Sequence, residues 1–163
     1  MILDRVENKV VAAFSGHRMI PENNVAEIRA KVRREIKSLY AQGVYVFLNG
    51  MAIGFDMLAA EEVISLKKEL PYIKLVAVIP CRQQAAKWRK DDIIRYNNIL
   101  LNADEKVVLS ENYFRACFLK RNDYMIDHAA HLICYYDGVE YGGGTFYTYR
   151  KARTKNLQIS NVF

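Results

Sequence analysis

Short, unbroken apolar runs alternate along this chain with longer stretches in which apolar residues recur every three or four positions. Residues 9–15, Lys-Val-Val-Ala-Ala-Phe-Ser, form the first such run, and Gly16 ends it. A run of that kind predicts a strand buried on both faces. After the turn at residues 19–24, apolar residues fall at Val25, Ile28, Val32, Ile36 and Leu39, one stripe of an amphipathic helix. Its outer positions carry Arg29, Lys31, Arg33, Arg34 and Lys37, and Gly43 suits its C-terminal cap. The pattern then repeats. Strands are predicted at residues 44–48, 73–79, 106–109 and 132–136, with a last one at 157–162. Helices are predicted from Gly54-Phe-Asp56 to about Leu70, around 83–88, over 91–101, over 114–130, and from the glycine run at 142–144 onward.

Strand and helix alternate without a repeat, a low-complexity tract or a linker. Such alternation implies right-handed crossovers and a mostly parallel sheet covered by helices on both faces. The fold class expected is therefore α/β, a Rossmann-like three-layer α/β/α arrangement with five to six strands. The whole of residues 1–163 is read as a single domain, a size that suits one core. Ligands of such sheets bind outside the carboxyl ends of the strands, so the chemistry is sought there.

Composition narrows the setting. Hydrophobic residues make up 52% and charged residues 26%, the balance of a folding globular chain. No apolar run reaches the roughly 18 residues of a membrane span, and the charged start lacks the apolar stretch of a signal peptide. Cys81, Cys117 and Cys134 are odd in number and far apart, which argues against a disulfide framework or a structural zinc site. A cytoplasmic location is expected. The net charge of +6 favours anionic partners without choosing among them.

Three strand ends carry candidate chemistry. The first is Ser15-Gly16-His17-Arg18, where glycine permits close backbone approach and Arg18 can grip a phosphate or carboxylate through paired hydrogen bonds. Capping a helix or pairing with a local acid is the plainer role for Arg18. The second is Asn49-Gly50-Met51-Ala52-Ile53-Gly54-Phe55-Asp56. Two glycines four apart between strand and helix would free backbone N–H groups to face an anion. Asp56, in the first helical turn, could accept a hydrogen bond from a ribose hydroxyl. A tight turn is the alternative. The third is Tyr141-Gly142-Gly143-Gly144-Thr145, a second anion cradle with a threonine hydroxyl as donor, or else a flexible loop.

Weaker signals complete the set. Pro80, Gln84 and Trp88 follow the third strand, and Trp88 either stacks on a base or packs inward. Arg121 and Asn122 lie on the ligand side or form a surface pair. His128 and His131 have helical ligand spacing but no third ligand nearby, so no metal is expected. The tyrosine- and phenylalanine-rich segment 135–149 offers a stacking platform, an oligomer contact or plain core.

Together these loops resemble the YpsA-like branch of the SLOG superfamily. The matching motifs are Ser-Gly-His-Arg at 15–18, Gly-x-Ala-x-Gly-Phe-Asp at 50–56, Pro80 with Gln84 and Trp88, Arg121-Asn-Asp-Tyr-Met125, and Gly-Gly-Thr at 143–145. The resemblance runs from about Val10 to Ala152. It implies a Rossmann-like fold related to the LOG nucleotide phosphoribohydrolases and the DprA proteins, and a role in sensing or processing nucleotides or their derivatives. Two departures stand out. LOG enzymes carry Gly-Thr-x-x-Glu, with a catalytic glutamate, where this chain has Thr148. Met51 stands where the branch more often has glycine, which would narrow the pocket.

The reading that follows is a sensor-type domain binding a nucleotide or nucleotide derivative, with no cofactor and no assigned catalytic residue. The alternatives are a nucleotide hydrolase cleaving an N-glycosidic or phosphate bond, with Asp56 or His17 as acid or base, and a DprA-like nucleic-acid binder using the basic helix face at 29–37. Expected partners are a nucleotide-like small molecule first, then a protein partner or a second copy of the chain, with nucleic acid last and no membrane.

Overall fold

The computed structural model describes every residue from Met1 to Phe163. Its centre is a six-stranded sheet of β1 (Val11–Gly16), β2 (Val46–Asn49), β3 (Lys74–Ile79), β4 (Glu105–Val108), β5 (His131–Tyr135) and β6 (Gln158–Asn161). The strand order is β4-β3-β2-β1-β5-β6, and every neighbouring pair is parallel. The helices are α1 (Val25–Ala41), α2 (Phe55–Leu66), α3 (Lys90–Asn102), α4 (Cys117–Asp127) and α5 (Gly144–Thr154). This is the Rossmann-like α/β architecture expected, with the sheet wholly parallel.

Alternation along the strands divides the core in two. Ala12, Phe14, Phe47, Leu75, Ala77 and Ile133 face one way and pack with Ile28, Val32 and Ile36 of α1, several residues of α2, and Tyr96 and Ile99 of α3. Val11, Ala13, Leu48, Val76, Leu132 and Cys134 face the other way, against Met125 and Ile126 of α4 and Ala152 of α5. A period of two in the strands and of 3.6 in the helices thus sorts each side chain to its layer. No helix is long and apolar enough to cross a membrane.

The order of strands reverses between β1 and β5. The chain leaves β1 toward α1 on one face and leaves β5 toward α5 on the other, which opens a crevice above the carboxyl ends of these two strands.

Several local expectations change. Residues 83–88 form successive turns, with Gln84, Ala86 and Trp88 N–H groups each donating three residues back, and the α-helix starts at Lys90. His128 lies beyond the end of α4 while His131 begins β5, so the two do not share a helix face. The basic face of α1 is turned toward acids. Arg29 pairs with Glu61 and Glu62, Arg33 with Glu62 and Glu69, and Lys37 with Glu69. Three of the five cations on that face are thus held by α2 and its following turn, Lys31 pairs with Glu27 within α1, and Arg34 is left exposed.

Gly54 shows how closely the loops meet. Its φ of +87° is one that L-residues rarely adopt, and a Cβ there would lie 2.2 Å from the carbonyl oxygen of Arg18. Gly43 has a similar φ of +93° but open space around it. Gly43→Ala is therefore expected to cost about 1–2 kcal/mol, the left-handed penalty alone. Gly54→Ala should cost clearly more in urea denaturation, because the β1–α1 loop must also move. Equal costs would contradict the close packing of the two loops.

Candidate functional site

The crevice between β1 and β5 holds a cavity of about 460 Å³. The β1 end contributes Ser15, Gly16, His17 and Arg18 to its wall. The turn before α2 adds Ala52 and Asp56, α4 adds Arg121 and Asn122, and the β5–α5 loop adds Gly143, Gly144 and Thr145. Eleven predicted positions from four separate segments are thereby brought to one hollow.

The floor on the α5 side is a helix N-terminus. The first bond of this turn runs from the Tyr147 N–H to Gly143 O, and no side chain caps the helix. The N–H groups of Gly144, Thr145 and Phe146 precede that bond, and such groups carry the positive end of the helix dipole. A Cβ at Gly142 would meet nothing, and one at Gly144 would only touch Asn122 Nδ2 at 3.7 Å. The glycine run keeps the mouth open, and none of its three residues needs a positive φ.

His17 clamps the lip of the same loop. Its Nε2 accepts the Asp137 N–H at 3.1 Å, and its Nδ1 lies 3.2 Å from the Tyr141 hydroxyl. The Tyr141 ring stacks on the imidazole, with centroids 6.1 Å apart. Arg18 and Arg121 lie over the Phe118 ring, with centroid distances of 5.9 and 5.8 Å.

Asp56 is the chemical centre of the cavity. It is 5% exposed; Oδ2 accepts the Ala52 N–H at 3.3 Å, while Oδ1 is buried with no partner at all. Burial pushes its carboxyl up from 3.8 to about 6, against the opposing pull of Arg121, the Ala52 N–H and Arg18. Neither arginine is within ion-pair distance, so the charges share the cavity without closing on each other. Arg121 is itself 5% exposed, with its pKa lowered by burial. Its Nε donates to Asn122 Oδ1 at 2.7 Å, and Nη1 donates to the Gly50 carbonyl.

The second glycine loop works differently from the anion cradle expected. The Met51 N–H is taken by Asn49 Oδ1 at 2.9 Å, the Ala52 N–H by Asp56 Oδ2, and the Phe55 N–H by His17 O. Gly50 is small because a Cβ would stand 2.7 Å from the Arg121 guanidinium, and Gly54 because of the Arg18 backbone. These glycines let the chain pack on itself. Met51 does not narrow the cavity either, since its side chain is fully buried in the core and its φ of 60° accounts for a preference for glycine there.

Other predicted residues stand behind or beside the hollow. Gln84 is buried, donates to Gly50 O at 2.9 Å and receives the Tyr96 hydroxyl at 3.3 Å, so it braces the carbonyl that Arg121 holds. Trp88 packs edge-on to Tyr96 and lines a separate hollow of about 330 Å³ with Gln84 and Phe118. Pro80 is buried at the end of β3, and Gly142 lines a neighbouring hollow. Thr148, where a catalytic glutamate was sought, is fully buried and donates to Gly144 O at 2.9 Å. Phe118, Leu119 and Tyr141 also line the cavity. Tyr141 adjoins the glycine run in sequence, but nothing in the sequence marks Phe118 or Leu119. Asn49, fully buried, ties the second loop by donating to Asp56 O at 2.7 Å.

A parallel sheet with a glycine-lined crevice at its switch point defines the class, and the comparisons give the family. Residues 20–161 match the family described as the YspA SLOG family (YpsA), and the chain belongs to it. The match begins just after Ser15–Arg18 and runs beyond Ala152 into β6. The SPbeta prophage-derived protein YoqJ of Bacillus subtilis is 33% identical over 66% of this chain and 70% of its own. The UPF0398 protein BBR47_29830 of Brevibacillus brevis is 29% identical over 93% of this chain and 86% of its own. Among solved structures, DNA processing protein A of Helicobacter pylori, whose structure is titled for a single-stranded DNA binding mode, superposes with a TM-score of 0.64 at 17% identity. It covers 97% of this chain and 66% of that one. The protein TM1055 superposes at 0.56, also at 17% identity, over 91% of this chain and 71% of that one. Both share the fold.

The raised Asp56 carboxyl makes stability depend on pH. The folded chain holds its proton more tightly than the unfolded chain, so stability falls as pH rises from 3.8 to about 6 and is level above that. The full drop is at most about 3 kcal/mol. Urea denaturation from pH 4 to pH 7 should show wild type losing this much relative to Asp56→Asn. A constant difference between the two proteins would contradict the buried, proton-holding carboxyl.

Proposed function

We propose that this chain binds a nucleotide or nucleotide derivative in the β1–β5 crevice, as a sensor-type domain spanning residues 1–163. The observation that carries the reading is the unpartnered, buried Asp56 Oδ1 in a cavity shared with Arg18, Arg121 and the open N-terminus of α5. A phosphate meets the α5 N–H groups, the Thr145 hydroxyl and the two guanidinium groups. A sugar hydroxyl meets Asp56, whose ionised oxygen lacks only a donor. Membership in the SLOG family supports the same class of ligand. Three buried, unpaired cysteines suit a reducing compartment, and we place the protein in the cytoplasm.

One observation favours a second reading, cleavage of the bound nucleotide. A carboxyl titrating at about 6 can exchange a proton near neutral pH. Chromatography of a nucleotide incubated with the protein tests this. Release of free base or phosphate that disappears in Asp56→Asn would establish an enzyme, and an intact nucleotide leaves the binding role.

Thermal denaturation in the presence of nucleotides, dinucleotides and nucleotide sugars tests the main reading. A ligand at a hundred times its dissociation constant should stabilise by about 2.7 kcal/mol. Arg18→Ala removes one charge-assisted contact and should weaken binding by roughly ten- to a hundredfold. Absence of any stabilising nucleotide, or a hit unaffected by Arg18→Ala, would overturn the assignment.

A further inference from the structure

The outer face of α5 carries a feature that the crevice does not use. Lys151 and Lys155 on this helix are paired with Asp123 and Asp127 of α4. Arg150 and Arg153 are exposed, and their guanidinium groups make neither an ion pair nor a hydrogen bond with the rest of the protein. They line a groove of about 580 Å³ together with Tyr136, Phe146 and Tyr149. Its rings are mutually packed. Tyr136 and Phe146 stack at 6.3 Å, Tyr136 and Tyr149 lie 4.9 Å apart, and Arg150 sits 5.4 Å over the Phe146 ring. Glu140 is the only carboxylate in the wall.

A third hollow links the lining of this groove to that of the crevice. Its volume is about 480 Å³, and it shares Gly143 with the crevice. It shares Phe146, Arg150 and Thr154 with the groove. Gly143, Phe146, Arg150 and Arg153 are spaced by three, four and three residues, so they form one stripe along α5. At 1.5 Å per residue that stripe is about 15 Å long. It starts at an anion-seeking helix end and finishes at two free guanidinium groups, with aromatic faces along the way.

We propose that this stripe is a track for a single-stranded nucleic acid, with one phosphate seated at the α5 N-terminus and further phosphates met by Arg150 and Arg153. The proposal rests on the anion pocket proposed above and extends it from one nucleotide to a strand. Free cations beside the half-buried Phe146 and Tyr149 rings match a phosphodiester chain carrying planar bases, because every base offers a face to stack on. An acidic peptide would use the arginines and leave the rings idle.

Fluorescence anisotropy with labelled 12-mers of uridine and of thymidine, at several salt concentrations, tests this and separates RNA from DNA as the source. At least one strand should bind, with a log–log salt slope of about −2 for three phosphate contacts. Arg150→Ala combined with Arg153→Ala should weaken strand binding at least tenfold and bring the slope to about −1. Both residues are exposed, so the thermal midpoint should hold. The same double variant should keep its stabilisation by a mononucleotide, which Arg18→Ala reduces. Thus the nucleotide shift reports the pocket and the dependence on Arg150 and Arg153 reports the track, and either can fail alone. No binding of either strand at low salt, a double variant that binds as wild type does, or polyglutamate competing as well as the strands would overturn the track.

Discussion

Everything at the carboxyl edge of the sheet depends on how Arg121 is buried. A guanidinium group that is 5% exposed needs acceptors, and the chain supplies the Gly50 carbonyl and the Asn122 side chain. The carbonyl is reachable only because residue 50 has no Cβ. Gln84 braces it from behind, tied in turn to Tyr96 on α3. Burying a charge without a close counter-charge is costly, and here the opposing carboxylate, Asp56, is left across the cavity with a free oxygen. The fold stops short of pairing them. In the function proposed above, a ligand bridging the two completes what the chain leaves open.

The same arrangement shows which groups the protein spends on itself and which it keeps for others. The N–H groups of Met51, Ala52 and Phe55 are spent on Asn49, Asp56 and His17. Glu62 of α2 and Glu69 in the turn after it are spent on the arginines and lysine of α1. At this edge and along α5 the unspent groups are Arg18, the start of α5, Asp56 Oδ1, and the guanidinium groups of Arg150 and Arg153. All of these line the crevice or the stripe that leads from it. With a net charge of +6, the protein has cations to spare, and location rather than number decides where an anion is held.

Much of this was legible in the sequence because periodicity carries it. Short apolar runs located the first five strands within a few residues, the mixed segment at 157–162 located the sixth, and their alternation with helices implied the parallel order. The turn at Ser15–Arg18 and the glycine run at 142–144 were legible as loops at the carboxyl edge, since the fold rule places them there. Less legible was what each glycine is for. The same spacing that suggests an anion cradle at Gly50–Gly54 also serves a loop pressed against Arg121 and Arg18, and only the neighbours tell them apart. The basic face of α1 reads as a binding surface until the acids of α2 are seen against it. Phe118 and Leu119 gave no local signal because their role comes from α4 lying over the crevice.

Carbon-detected NMR of the aspartate carboxyls, with Asp56→Asn to assign the signal, tests the central claim most directly. The Asp56 carboxyl should titrate near 6 in the free protein, and its midpoint should move when a nucleotide saturates the crevice. An ordinary midpoint near 3.8, or one that is the same with and without every nucleotide tried, would contradict it.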